Sequence, residues 1–226
     1  MRTTLNWKTT RVLVLSLAVC ALVSACGSDD NTPAELTVPT TANEFTDRAW
    51  TRFESGDFNG ALADFNDALV LENTHGGAHA GLGWTRFQLA TDPIAMQTAK
   101  ASFDQAIAAG ETAAYILAGR SALNLGLGGS FLPAAVDDAQ AAGVADPGFV
   151  FAHRAGFNTV DLHLVVAFAE AAQGNLPAAL IACNAVTESG INAGDAGTWT
   201  VAGLTYTSFD GAVLAFLQQL SNTHAG

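Results

Sequence analysis

A pentapeptide that occurs twice sets the strongest limit on how this chain can fold. Residues 49–53 read AWTRF and residues 83–87 read GWTRF, so that Trp50 of the first copy corresponds to Trp84 of the second. Self-similarity at a fixed period of this length is typical of repeat proteins, in which each unit is one supersecondary element. We therefore expect a stack of similar units that bury their apolar faces against one another.

The second half of the unit also repeats, which indicates that each unit is a pair of helices. Residues 65–69 read FNDAL and return as FDQAI at residues 103–107, and Ser55-Gly56-Asp57 breaks the pattern between the two halves. After this break, apolar residues recur at the spacing of one helix face: Phe58, Ala61, Leu62, Phe65, Ala68 and Leu69. Because this face is too small to close a core by itself, each helix needs a neighbour.

These residues resemble the tetratricopeptide repeat. The resemblance rests on the period from Trp50 to Trp84, which equals that of the family, on Gly56 at the turn and on the small and aromatic residues that the family places where its helices cross: Ala49, Phe58, Ala61, Phe65 and Ala68. It implies helix hairpins that wind into a right-handed coil, with the first helix of each hairpin lining a concave groove.

Two further units are weaker. Residues 131–142 contain VDDAQ, which aligns with FDQAI, and residues 161–186 contain a degenerate unit in which Gly174 aligns with Gly56 and Cys183 with Phe65. Residues 210–221 predict a last amphipathic helix that covers the final unit. We therefore predict an all-α fold, an α-solenoid of about four tetratricopeptide-like helix hairpins over residues 42–190, with an irregular segment and a C-terminal capping helix over residues 191–226.

Two stretches interrupt the helical pattern. Residues 144–159 contain Pro147, Gly148 and the short apolar run Phe149-Val150-Phe151, which predicts a long loop or a strand-like excursion. Residues 198–207 carry two weakly alternating runs on either side of Ala202-Gly203, which favours a β-hairpin.

Residues 1–25 have the pattern of a signal peptide. Arg2, Lys8 and Arg11 precede an apolar run at residues 12–22, which is too short to span a bilayer. The following residues, 23–26, read VSAC and resemble the bacterial lipobox, which implies cleavage before Cys26 and attachment of diacylglycerol to its thiol. An ordinary secretory peptide with an incidental cysteine is the alternative.

Residues 26–41 are polar and contain two prolines, so we expect a flexible tether between the lipid and the folded body. By resemblance to Gram-negative sorting rules, Gly27 after the cysteine favours the outer membrane, with the body facing the periplasm. The expected localisation is therefore the cell envelope, with membrane attachment through Cys26.

The charge balance limits the class of partner. The chain carries a formal net charge of −12, and loss of the leader removes three basic residues and no acidic one. Such a surface repels phosphate backbones, so we expect no nucleic-acid partner. Cys183 is the one cysteine that follows Cys26, which leaves no pair for a disulfide within the body.

No group of residues predicts catalysis. His75 and His79 have metal-ligand spacing but lack a third ligand and precede a helix, so we interpret them as a solvated helix cap. Cys183 takes the place of a core aromatic, and we expect it to be buried and inert. We predict no catalytic residues, no metal, no cofactor and no enzymatic activity.

The candidate binding residues lie on the first helices. Trp50, Phe53, Trp84 and Phe87 occupy equivalent positions one repeat apart and would form an aromatic ladder if they face the groove. Arg52 and Arg86 recur with them and could bind a carboxylate. The alternative is that the tryptophans pack between repeats as core.

These expectations favour a non-catalytic, lipid-anchored envelope protein that acts as a scaffold or adaptor for another envelope protein or peptide. It could assist assembly of an envelope machine, as a pilotin does. The alternative from another class is a ligand- or glycan-binding lipoprotein that uses Trp50 and Trp84 as stacking platforms; an enzyme is the third.

Overall fold

The computed structural model describes residues 38–154, 156–192 and 197–224. The predicted signal peptide, the lipidation of Cys26 and most of the tether lie outside these residues. The described part contains nine α-helices and one two-stranded sheet, in the order α1 (Ala42–Glu54), α2 (Phe58–Leu71), α3 (Gly76–Leu89), α4 (Pro93–Ala108), α5 (Ala114–Leu127), α6 (Leu132–Ala145), α7 (Thr159–Ala172), α8 (Leu176–Val186), β1 (Trp199–Val201), β2 (Leu204–Tyr206) and α9 (Phe209–His224). None of these helices is both long and apolar enough to cross a membrane.

Side chains fix where several helices begin. Thr41 Oγ1 accepts the backbone N–H of Glu44, and the Glu44 carboxylate accepts the backbone N–H of Thr41, which forms a capping box at α1. The ring of His75 caps α3 by accepting the N–H of Ala78 at Nδ1. This histidine is therefore a helix cap, as its position in the sequence predicted. Four more helices have side-chain caps, from Asp57, Asp92, Asn158 and Ser208.

The helices pack as four successive hairpins, α1–α2, α3–α4, α5–α6 and α7–α8. The second helix of each hairpin also packs against the first helix of the next one, and the first helices α1, α3, α5 and α7 contact one another in order. The predicted four hairpins are confirmed. We call the side of the stack formed by α1, α3 and α5 the inner face.

Large rings on second helices fit against glycines on first helices. Phe65 of α2 lies over Gly81 of α3, and Phe103 of α4 lies between Gly83 of α3 and Gly119 of α5. A Cβ atom at Gly83 would come 2.7 Å from the Phe103 ring, and one at Gly81 or Gly119 would overlap with a ring. The glycines therefore let the hairpins approach closely enough to bury both phenylalanines completely.

The C-terminal part has a core of its own. The last helix, α9, packs on α7, α8 and the β1–β2 hairpin, so the predicted capping helix is confirmed. The predicted β-hairpin is also confirmed, with Val201 paired to Leu204 and with Ala202 and Gly203 at positive φ in the turn. Cys183 is completely buried in this core, as predicted, and burial raises the pKa of its thiol to about 11.

We expect Gly81→Ala to destabilise the protein by about 1–3 kcal/mol, because the new methyl group would overlap with the Phe65 ring. The measurement is the free energy of unfolding from urea titrations followed by far-ultraviolet circular dichroism.

Gly143→Ala in α6 is the matched control, since a Cβ atom at Gly143 meets no other group within 4 Å. There the better helix propensity of alanine should stabilise the protein by up to about 1 kcal/mol. Equal effects of the two substitutions would contradict the packing described for Phe65.

Candidate functional site

The chain between α6 and α7 covers the inner face. We call residues 146–158 the connecting segment; they lie within residues 144–159, which the sequence predicted as a loop or strand-like excursion. It contains one isolated β-bridge, Val150 to Asn158, and its backbone bonds to itself, since Phe151 N–H donates to the carbonyl oxygen of Phe157 at 2.8 Å. Phe149 and Phe151 are buried, whereas Val150 between them is 65% exposed. The segment is therefore a folded loop that turns alternate side chains toward the helices.

Phe151 is the centre of an aromatic cluster on this face. Its ring stacks on Trp84 with 4.2 Å between centroids and on Tyr115 with 5.9 Å. It meets the edges of Trp50 at 6.0 Å and of Phe53 at 6.3 Å. One side chain of the connecting segment thus contacts rings from α1, α3 and α5, and we call these five rings the inner-face cluster.

His153 makes a second contact, with the first hairpin. Its ring lies parallel to Trp50, with 4.0 Å between centroids and 8° between planes. Its Nδ1 atom is 2.7 Å from Oε1 of Glu54. The carboxylate is half exposed, so its contact with His153 contributes little to stability.

The structure places all four predicted aromatic residues inside the protein. Trp84 is completely buried, and its Nε1–H donates to the backbone oxygen of Tyr115 at 3.2 Å. Trp50, Phe53 and Phe87 are buried as well. They pack between repeats, and the connecting segment covers the surface that Trp50 and Trp84 turn toward the inner face. Their role in partner binding stays a prediction.

The two predicted arginines point elsewhere. Arg52 reaches the second helix of its own hairpin, where its Nε atom lies 3.2 Å from Oδ2 of Asp64. Arg86 donates to the hydroxyl of Ser102 on α4 at 2.6 Å. The structure therefore brings neither guanidinium into the inner-face cluster, and a carboxylate-binding role for them also stays a prediction.

Arg120 continues this series, and the sequence analysis missed it. It follows Arg86 at the same spacing as Arg86 follows Arg52. It donates to both carboxylate oxygens of the buried Asp138, at 2.8 Å and 2.6 Å. Hydrogen bonds to Asp138 raise the pKa of Arg120, whereas burial lowers the pKa of Arg86. The common function of the arginine position is to join the two helices of a hairpin.

Sequence reasoning also missed the contacts made by Glu54, Tyr115, Phe151 and His153. The alternation of Phe149, Val150 and Phe151 indicated a strand-like run, but it did not indicate which helices the run would pack against. Burial, together with Glu111, raises the pKa of the Tyr115 hydroxyl to about 12.

Beside the connecting segment the structure leaves a small cavity. It has a volume of about 220 Å³ and lies where Phe53, Glu54, Gln88, His153 and Arg154 meet. Over residues 38–154, 156–192 and 197–224, no group of three or more histidine, cysteine, aspartate or glutamate side chains could hold a metal ion. This site is a set of covered aromatic rings, with the Glu54 carboxylate beside His153.

Paired helices stacked in register, with aromatic wedges set against small residues, define the class of fold. The protein is an α-solenoid of tetratricopeptide type, as the sequence predicted.

The crystal structure of MamA protein is similar to this chain, at 17% sequence identity and a TM-score of 0.51, over 63% of this chain and 69% of MamA. A thermophilic TPR protein in Thermus thermophilus is 15% identical with a TM-score of 0.49, over 65% of this chain and 73% of that one. No protein-family model and no curated protein matches the chain.

We expect Asp64→Ala to lower the free energy of unfolding by about 2 kcal/mol. Asp64 is buried, accepts hydrogen bonds from Arg48 at 2.8 Å and 2.7 Å and forms an ion pair with Arg52, so its loss removes the ion pairs between α1 and α2. The effect should fall below that of a fully buried pair because both guanidinium groups reach water.

Asp67→Ala, which removes the same charge from the exposed side of α2, should change stability by less than about 0.5 kcal/mol. Urea unfolding of both variants measures the difference. An Asp64 variant as stable as the Asp67 variant would contradict the role assigned to this carboxylate.

Proposed function

We propose that this protein is a non-catalytic scaffold that binds another protein through its inner face. The observation that supports the proposal is that this face already accommodates a segment of polypeptide, with Phe151 set among rings from three successive hairpins. Fully desolvated aromatic side chains near the centre of a surface are the usual anchors of protein–protein binding.

A non-catalytic role agrees with the chemistry at hand. Cys183 is the free cysteine of the described residues, and it is buried in the C-terminal core, away from the inner face. Burial raises the pKa of its thiol to about 11, which leaves it protonated and unreactive near neutral pH.

The covered rings weigh against the glycan-binding alternative. Sugars stack on open faces of aromatic rings, whereas Trp84 is completely buried and His153 lies flat on Trp50. A protein partner can bring side chains that replace those of the connecting segment. This favours a protein-binding scaffold over a glycan-binding protein.

We propose further that the scaffold is anchored in the cell envelope through diacylglycerol on Cys26, with its body in the periplasm at the outer membrane. The leader, the cysteine in a lipobox-like context and the polar tether of residues 26–41 support this location. The partner is then another envelope protein or peptide, and assistance in assembling an envelope machine is one such role.

Photo-crosslinking in cells should locate the partner-binding side. A benzophenone amino acid in place of Gln88, which borders the cavity beside the connecting segment, should give one discrete adduct. The same group in place of Asn66, exposed on the second helix α2, should give none. Mass spectrometry identifies the adduct, and the protein found must bind the purified wild-type chain. Equal adducts at both positions, or none at Gln88, would contradict the proposed inner-face binding.

Replacement of the lipidated residue tests the anchor. Cys26→Ser should move the protein from the membrane pellet to the soluble periplasmic fraction or the medium, because no thiol is left for the lipid. Cys183→Ser, within the C-terminal core, is the control and should leave the protein in the pellet. Retention of the Cys26 variant in the membrane fraction would rule out the anchor.

A further inference from the structure

We propose that the connecting segment is an autoinhibitory ligand of the inner face, and that the partner displaces it with an aromatic side chain followed two residues later by a basic one. This inference rests on the proposed function. It identifies the partner by the two contacts that Phe151 and His153 make.

The first contact selects an aromatic ring. Phe151 lies parallel to Trp84 and Tyr115 and edge-on to Trp50 and Phe53. Parallel and edge-on ring pairs add to the free energy that burial alone provides. A branched aliphatic side chain cannot reproduce these geometries, so the inner-face cluster should prefer phenylalanine, tyrosine or tryptophan.

The second contact selects a positive charge. His153 lies between the flat face of Trp50 and the carboxylate of Glu54, and both attract cations. An arginine, a lysine or a protonated histidine fits this position, whereas an acidic side chain would meet Glu54. Because Phe151 and His153 flank Ala152, the preferred sequence is aromatic–any–basic.

The length of the connecting segment indicates that the hairpins do not need it as a spacer. Residues 72–75 suffice to join α2 to α3, and residues 109–113 join α4 to α5, whereas α6 and α7 are separated by residues 146–158. The helices α6 and α7 pack directly against each other, as the other successive hairpins do. The segment can therefore leave the inner face without separating the hairpins.

Phe149 is buried and Phe157 meets the Trp84 ring at 5.4 Å, so both ends of the segment are held on the helices, whereas the His153–Glu54 contact between them is partly exposed. The Glu54–His153 pair is partly exposed, and hydrogen bonds such as Arg154 N–H to the carbonyl oxygen of Phe151 lie within the segment. As a covalently linked ligand, the segment competes at an effective concentration in the millimolar range. A partner that matches both contacts and adds its own surface can displace it.

The test uses the purified chain and a peptide probe. The Phe151→Ala/His153→Ala double variant should uncover the inner face, and Val150→Ala, on the exposed side of the same segment, is the matched control. The probe is a fluorescein-labelled peptide with the sequence of residues 147–158, followed by anisotropy. We expect the double variant to bind it at least tenfold more tightly than the wild type or the Val150 variant does.

Changes in the probe test the two contacts. A peptide with Phe151→Ala should lose at least tenfold in affinity for the double variant, and so should a peptide with His153→Glu. Adding Glu54→Lys to the double variant should restore binding of the His153→Glu peptide. Equal binding of the unmodified probe to the wild type and the double variant, or no binding to the double variant, would overturn the proposal.

A second measurement tests, without any added peptide, whether the connecting segment covers the aromatic rings. Burial, together with Glu111, raises the pKa of Tyr115 to about 12. Ultraviolet titration of the double variant should show Tyr115 ionising at lower pH, toward its ordinary pKa of 10.0, and tryptophan emission should move to longer wavelength. Unchanged titration and emission in a variant with native circular dichroism would also overturn the proposal.

If the double variant does not fold, Glu54→Lys alone replaces it, since this change leaves every ring in place and removes the carboxylate that contacts His153. It should bind the His153→Glu peptide at least tenfold more tightly than the wild type does, and equal binding would count against the proposal.

The experiments separate the two hypotheses. If the probe binds as expected but Gln88 gives no adduct in cells, the connecting segment is an autoinhibitory ligand and the scaffold function is wrong. If Gln88 gives an adduct but the probe does not distinguish the double variant, the scaffold stands and autoinhibition fails.

Discussion

Close approach between a ring and a glycine holds this stack of hairpins together. Phe65 and Phe103 extend from second helices onto first-helix surfaces where Gly81, Gly83 and Gly119 leave no side chain in the way. The first two hairpins bury these rings through this contact with the next hairpin. The spacing of the first helices, and hence the shape of the inner face, follows from it.

The spacing of the first helices brings aromatic rings together on the inner face. Trp50, Trp84 and Tyr115 come from three different hairpins and meet because the first helices contact one another. Left open, such a set of rings would be an apolar patch of the kind that marks an interaction site or promotes aggregation. The connecting segment meets this constraint by placing Phe151 among the rings. The connecting segment therefore covers the same aromatic rings that we propose as the binding surface.

The acidic residues fall into two groups, those buried between the helices of a hairpin and one at the inner face. Asp64 and Asp138 are buried, and each accepts hydrogen bonds from an arginine on the first helix of its own hairpin. These pairs fix the two helices of a hairpin relative to each other, and a carboxylate buried without them would be costly. Glu54 remains half exposed and reaches across to the connecting segment. Structural carboxylates thus lie between paired helices, and the one at the inner face contacts the part of the chain that we expect to move.

The period, the hairpins and the cap could be predicted from the order of the amino acids alone. They depend on spacing along the chain: AWTRF and GWTRF one period apart, Gly56 at a turn, and an amphipathic run at the end. Local periodicity and turn chemistry are enough to predict such elements from the sequence. The environment of the aromatic residues, by contrast, depends on long-range packing. The same Trp50 could pack inside or face a groove, and the outcome depends on Phe151 and His153, which lie far along the chain. Nothing in the local pattern specifies where a loop returns, since that depends on which surface the assembled helices leave uncovered.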